Sequence, residues 1–315
     1  MLPIPPVWAE KETYVDFNLW ASTGQTKWRH DASKLDPDNG VPTSELDYQG
    51  IDSNIVEVSV WQELNLGHQL QFTIGKGTIN DGLLVDDDYV SASGAVNLNT
   101  TRTDAHRYSR THSDIDGGGL LYLEGKFLPE ALMLNYRRLQ AKLGFGLHYW
   151  QEEYIATDVR KVECTKINGC FDESIDLSNT TVITNTAKWR GLGIALDSRL
   201  ELTQKLRLKL NINYYPLMYL VNEDIHHLRT TGPDALGQNP SIRMHGKGTG
   251  FDLFAGFAFQ ANKAFSAHLG YQLWERRVKS QVITFYGPNG GSSSASLMDF
   301  TTRRGGLIGG VTLLF

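Results

Sequence analysis

What the sequence lacks narrows the choice first. The chain has 315 residues but only 2 cysteines, which excludes a disulfide-dense scaffold and a thiolate metal cluster. No run approaches the ~20 apolar residues that a membrane-spanning helix needs, so a helical membrane protein is excluded. Charge of one sign is missing too. Lys and Arg number 30 against 35 Asp and Glu, a formal net charge of -5 with no basic field for nucleic acid. Long helical periodicity is scarce. In its place stand 31 Gly, 13 Tyr, 13 Phe and 7 Trp.

Alternation fills the gap. Between Lys205 and Tyr215, the residues Leu206, Leu208, Leu210, Ile212 and Tyr214 share one face, and Arg207, Lys209, Asn211 and Asn213 share the other. Period-two patterning of this kind describes a strand with one apolar and one polar face. It recurs in SNIVEVSVW, HQLQFTIGKG, GLLYLEGKF, QAKLGFGLHYW, GFDLFAGFAF, FSAHLGYQLW and the terminal GGLIGGVTLLF. About ten such segments occur, at the ~10-residue scale of barrel strands. Their polar faces carry Lys, Arg, Asn and Gln in nearly every strand, more than a soluble core could bury unpaired.

The connections alternate in length. Short ones fall at 65–68, 202–205 and 260–264, an intermediate one near 128–138, and long polar ones at 30–46, 86–112, 157–182, 223–246 and 286–299. Short turns at one end and long loops at the other are the plan of an outer-membrane barrel. Closure satisfies every backbone group in lipid. The expected fold is therefore all-β, a ten-stranded antiparallel transmembrane β-barrel with long extracellular loops. Tyr and Trp near strand ends are expected in interfacial girdles. At ten strands the interior side chains fill the bore, which argues against a general diffusion pore.

Residues 13–315 form one barrel domain in this reading. Residues 1–12 form an N-terminal tail, in which Val7-Trp8-Ala9 resembles the end of a signal-peptide cleavage site. Cys164 and Cys170 lie in KVECTKINGCFDE, a segment without His; a short disulfide-closed loop in an oxidising compartment is the favoured reading over two free thiols. No metal site is expected: His148, His245 and His268 lack partners at ligand spacing. Gly117-Gly118-Gly119 reads as a bend or close approach within a strand.

Two acidic clusters carry chemistry. One is Asp86-Asp87-Asp88 in LLVDDDYV; the other is Asn222-Glu223-Asp224-Ile225-His226-His227. In extended backbone Asp86 shares a face with Asp88, and Asp224 with His226, while Asp87 and Ile225 point away. An Asp two residues from a His can orient the imidazole as a general base. Two adjacent carboxylates repel each other and hold a shared proton or an ordered water. Solvated rim residues are the alternative. Register stands against the catalytic reading, because simple parity puts Asp86 with Leu70, Phe72 and Ile74, and Asp224 with Leu206 and Leu208, on the outward face. A bulge near Gly82 and another near Pro216 are needed to turn them inward.

The segments STGQTKWR (22–29), SELDYQGIDSNIVEVSVWQEL, LLVDDDYV, NEDIHH and QLWERRVKS, in that order, resemble the omptins, outer-membrane endopeptidases of Gram-negative bacteria. The likeness runs across most of the chain. It implies that Asp224 and His226 activate a water for attack on a peptide carbonyl. Asp86 and Asp88 then hold that water and the developing oxyanion, in a groove facing the outside of the cell. Polypeptides are the implied substrates, no cofactor is needed, and the chain acts as a monomer in the outer membrane.

Two departures from the family pattern stand out. The pocket for the residue before the scissile bond carries two acids in members that cut at basic residues; the matching positions here are Trp28 and Asn222, which implies an altered preference. Lipopolysaccharide activates some members, and Lys247 and Glu152 align with its contact positions, whereas two Arg positions become Tyr154 and a threonine near 185. Ser109 and His112 align near the groove and read as solvated loop residues. A barrel without proteolysis, acting as an adhesin or structural protein, is the second function consistent with the altered pocket. A lipid-modifying barrel enzyme would want a Ser–His pair at the lipid-facing wall, and none is evident.

Overall fold

The computed structural model describes residues 12–64, 67–170, 176–232 and 235–315. Its strands are β1 (Thr13–Asp31), β2 (Asn39–Glu63), β3 (Gln69–Val90), β4 (His106–Leu128), β5 (Met133–Tyr136), β6 (Leu139–Cys164), β7 (Thr181–Glu201), β8 (Leu206–His226), β9 (Ile242–Gln260), β10 (Phe265–Tyr286) and β11 (Ser292–Leu314). Each long strand pairs antiparallel with its neighbours, β6 pairs with β4, and β1 closes on β11, so ten long strands form a ring. The remaining strand, β5, lies in the intermediate connection and extends the start of β6. A short α-helix, α1 (Ala92–Asn97), lies in the β3–β4 connection and is capped at its N-terminus by Ser91.

At the end carrying Thr13 and Leu314 the connections are tight turns, closed by the hydrogen bonds Leu64 N–H to His68 O at 2.8 Å and Leu202 N–H to Leu206 O at 2.9 Å. Near this end the outer wall is apolar. Phe17, Leu19, Phe72, Ile74, Phe145, Leu147, Phe257 and Leu269 all project outward and stay exposed. Such a continuous band is tolerated only against lipid. Inward along the same stretch lie Asn18, Glu57, Glu124, Lys126, Asp252 and Arg276, nearly all removed from solvent.

Toward the other end the strands run on past the lipid band, and here the sequence-based boundaries need correction. Much of each expected long loop is strand: the connections shrink to 32–38, 91–105, 165–180, 227–241 and 287–291. The physical reason is the outer face. Above the lipid it faces water, and its apolar residues give way to cross-strand ion pairs: Lys27–Glu45 at 2.7 Å, Arg110–Asp87, Arg160–Asp114 at 2.5 Å and Arg29–Asp299 at 2.8 Å. Polar-out alternation over an apolar inner face reads locally as loop.

Tryptophan also departs from the expected girdle. Trp20, Trp28, Trp150, Trp189 and Trp274 all face the bore and are buried. Trp274 is the hub of a plug, with ring centroids 4.9 Å from Trp20, 4.6 Å from Tyr122 and 4.5 Å from Trp150. The plug divides the interior. Below it a polar vestibule opens at the tight-turn end, lined by Tyr14, Lys142, Arg199 and Lys209 among others; above it lies the part of the barrel carrying both acidic clusters.

Candidate active site

The parity problem is solved by bulges in both strands. Along β8 the inward residues are Asn213 and Tyr215, then Met218, Leu220, Asn222 and Asp224. Parity switches across Pro216–Leu217, where the pairing with β7 and with β9 slips. Proline cannot donate to the ladder, so it sits where the ladder is broken. Along β3 the inward set changes from Thr73, Gly75, Gly77 and Ile79 to Leu84, Asp86 and Asp88. The slip falls at Asn80–Asp81 rather than at Gly82, and beside it β2 carries its own irregularity at Gly50, whose φ of 57° favours glycine. Gly117 and Gly118, with φ of 125° and 123°, mark the equivalent slip in β4.

These slips aim the two clusters at one groove. His226 Nε2 stands 3.3 Å from Asp224 Oδ2, and the Asp224 side chain is fully buried. The His226 backbone is clamped by the β8–β9 hairpin: its N–H donates to Ser241 Oγ at 2.9 Å, and its carbonyl accepts from Gln238 at 3.1 Å. Asp86 and Asp88 flank Ser44, which donates to Asp86 Oδ1 at 3.4 Å and lies opposite Asp88 in register. Asp87 points to the outer wall, where Arg110 grips both its carboxylate oxygens.

Electrostatics tie the clusters together. Burial holds the Asp86 carboxyl well above the usual carboxylate range, with the charges of Asp88 and Asp224 adding to the effect. Asp88 is also raised by burial, opposed by Ser44, Arg229 and His226. The Tyr48 hydroxyl below them feels burial first, then Asp224 and Asp86, and is pushed far above its ordinary value. His30 faces the same groove. Burial pushes its imidazole down to about 4, so it is neutral at physiological pH, and its ring lies 6.0 Å from Trp28 and 5.2 Å from Phe285. A carboxyl pair held above its ordinary range opposite an Asp–His couple can hold a water, while the imidazole takes its proton and the pair hydrogen-bonds developing negative charge.

Trp28 and Asn222 line the inner wall just below. Trp28 is 1% exposed and packs between Phe300 and Leu46 in register, while Asn222 is fully buried beside Ala187 and Met244. The disulfide is formed between Cys164 and Cys170, with Cα atoms 5.9 Å apart. Lys247 is exposed on the outer wall of β9.

Glu152 is a correction. It is 0% exposed inside the bore, where Oε1 accepts from Thr26 at 2.7 Å and Thr302 at 3.1 Å, so it cannot touch lipid. Tyr154 is likewise internal, stacked on Tyr48 at 5.0 Å. A one-residue slip in alignment moves a strand residue to the opposite face, and these two positions on β6 share the inward parity. Ser109 and His112 lie in β4 rather than a loop; Ser109 is buried opposite Asp88. Sequence reasoning missed Ser44, His30, Tyr48 and Ser241. Ser44, Tyr48 and His30 carried a signal, through the inward parity of β2 and β1, whereas Ser241 lies in the β8–β9 connection.

One further group has metal-like proximity. Glu124, His148 and Asp252 bring ligand atoms within 4.8 Å of one another in the lower bore. Lys126 lies 3.1 Å from Glu124 and Arg276 2.5 Å from Asp252. These cations already neutralise the carboxylates, which makes the group an ion-pair network.

Fold and surface together define an outer-membrane β-barrel with a filled bore and a polar groove standing above the lipid band. In fold the chain is similar to the outer membrane protease OmpT from Escherichia coli, with a TM-score of 0.68 and 13% identity over 100% of this chain and 99% of that one. Weaker likenesses are to a Pseudomonas aeruginosa FadL homologue, with a TM-score of 0.24 and 9% identity over 97% and 90% of the two chains, and to the transport unit of the Escherichia coli autotransporter AIDA-I, with a TM-score of 0.33 and 7% identity over 99% and 93%. No protein-family model matches the chain, and no curated protein matches it by sequence.

Proposed function

We propose that this chain is an outer-membrane endopeptidase of a Gram-negative bacterium, its groove facing the cell exterior and polypeptides its substrates. The observation that carries the reading is the convergence of Asp224 and His226, 3.3 Å apart, on a carboxylate pair whose Asp86 feels the charge of Asp224. His226 takes the proton of the attacking water and returns it to the leaving amine. Asp224 orients the imidazole and stabilises its charged form. The Asp86–Asp88 pair, keeping a shared proton, holds the water and hydrogen-bonds the oxyanion. No covalent intermediate is required. Uncharged Trp28 and Asn222 weaken cleavage after basic residues, because a buried Arg or Lys there lacks a countercharge. With Glu152 and Tyr154 inside the bore, Lys247 is the one charged residue of the aligned lipid-contact positions on the outer wall, and lipopolysaccharide is the activator the assay tests.

The test is digestion of a mixed peptide library by refolded protein, with and without lipopolysaccharide, against the variants Asp224→Asn and His226→Ala. Both variants should lose ~100-fold or more of the rate while keeping heat-modifiable gel migration. No cleavage by the parent protein under either condition would favour the adhesin or structural reading.

A further inference from the structure

Beneath the Asp–His couple lies a group of polar atoms that the proposed reaction does not use. Asn222 precedes Asp224 by two residues on the inner face of β8, and Asn185 of β7 is the direct register partner of Asp224. The two amides are therefore diagonal neighbours on one wall, within ~7 Å of each other and of the Asp224 carboxylate. Both are 0% exposed, and among the described residues neither the nitrogen nor the oxygen of either amide has a hydrogen-bond partner. The Trp28 indole N–H and the Tyr48 hydroxyl, buried nearby in the same groove, are also unpartnered. Buried polar groups are nearly always paired. Among the described residues Asn185 and Asn222 are the two side-chain amides with both nitrogen and oxygen unpaired, side by side next to the reactive couple, which marks a place suited to a ligand's hydrogen bonds.

The chemistry of that place is selective. Its two amides present donors and acceptors in equal measure and carry no charge of their own. A guanidinium or ammonium meets only carboxylates with other work: Asp224 and Asp86, which the proposed reaction employs, and Glu152, held by Thr26 and Thr302 with Arg304 3.8 Å away. A carboxylate meets the like charges of Asp224 and Asp86. An aliphatic side chain leaves four amide atoms unpaired, the situation in which hydrogen-bonding sites discriminate most strongly. A primary amide matches, since it offers two N–H donors and a carbonyl to facing amides.

We propose that this subsite takes the side-chain amide of a glutamine or asparagine adjacent to the scissile bond, an assignment that rests on the endopeptidase reading. Asn185 and Asn222 are its specificity-determining residues.

The test uses peptides identical except for Gln, Asn, Leu, Arg or Glu immediately before the cleaved bond, followed in parallel by turnover and by fluorescence anisotropy with the full refolded protein. Gln and Asn peptides should exceed the others by at least about tenfold in kcat/KM and in affinity. Asn222→Asp supplies the missing countercharge and should turn the preference toward Arg, whereas Asn222→Leu should favour Leu; heat-modifiable migration reports whether each variant is folded. Cleavage by the parent protein with no amide preference, or with an Arg preference, overturns the subsite assignment and leaves the peptidase standing. Selective binding of amide peptides without any cleavage does the reverse.

Discussion

Replacing Asp86 by asparagine should abolish proteolysis yet make the barrel more stable at alkaline pH. Asp86 and Asp88 alternate on one face of β3, so their carboxylates stand ~7 Å apart. At an effective dielectric near 20, two full charges at that separation repel by about 2 kcal/mol. Both residues keep partial access to the groove, which screens the repulsion to about 1 kcal/mol, while Asp224 adds to it from the facing strand. The sign with pH follows from linkage. Both carboxyls are raised in the folded barrel, so as pH rises past the ordinary carboxylate range the unfolded chain loses protons that the folded chain keeps. Stability therefore falls with rising pH through that window, until the raised groups ionise too. The Asp86→Asn variant would keep the hydrogen bond from Ser44 and remove the charge. The expected result is a gain of about 1–2 kcal/mol near pH 8, little change near pH 4, and a flatter pH dependence. Urea unfolding of protein refolded in lipid vesicles, followed by tryptophan fluorescence, measures it. A variant no more stable than its parent at alkaline pH, or a parent whose stability rises across this window, would refute the reasoning.

The other predictions address the bore and the rim. Trp274→Ala removes the hub of the plug and should cost about 3–5 kcal/mol in the same unfolding assay, with a measurable rise in single-barrel conductance across a planar bilayer. Lys126, 3.1 Å from Glu124 and 3.6 Å from Asp197, neutralises both acids, so Lys126→Met should destabilise by about 3–5 kcal/mol, and adding Glu124→Gln should recover part of the loss. Cys164→Ser should speed tryptic nicking between residues 165 and 180 without shifting the unfolding midpoint of the barrel, because the strands are held by their ladders rather than by a bridge spanning 6 positions.

Strand parity was the most legible signal. Where a strand crosses lipid, its outer face must be apolar and its inner face polar, so Leu206 to Tyr214 could be assigned to faces from residue type alone. Above the lipid the same strands turn polar outside and apolar inside, as Asp87 with Arg110 outside Leu84 shows. The contrast inverts, and the alternation no longer announces a strand. That inversion is why 86–112 read as loop although β3 runs to Val90 and β4 begins at His106. Bulges were legible only in part. Pro216 flagged its own slip, because a missing N–H has to fall outside the ladder; the slip in β3 landed on Asn80–Asp81, where no residue type demands it.

The two motifs at Asp86–Asp88 and Asp224–His226 were present in the sequence with their internal faces already set by period two. Which way those faces pointed was not. With no extra residue, or with two, Asp86 and Asp224 would keep the outward parity of the lipid-facing stretch, and a single extra residue turns them inward, so the groove depends on bulges whose effect exists only once neighbouring strands are paired. Local chemistry thus determined the strands, their lipid-facing stretch and the candidate reactive residues. Tertiary pairing alone decided that β3 and β8 face each other across the bore, that Glu152 lies inside it, that tryptophans plug it, and that Asn185 joins Asn222 beneath the Asp–His couple. These are contacts between residues far apart in the chain, and nothing in a local pattern can carry the distance between them.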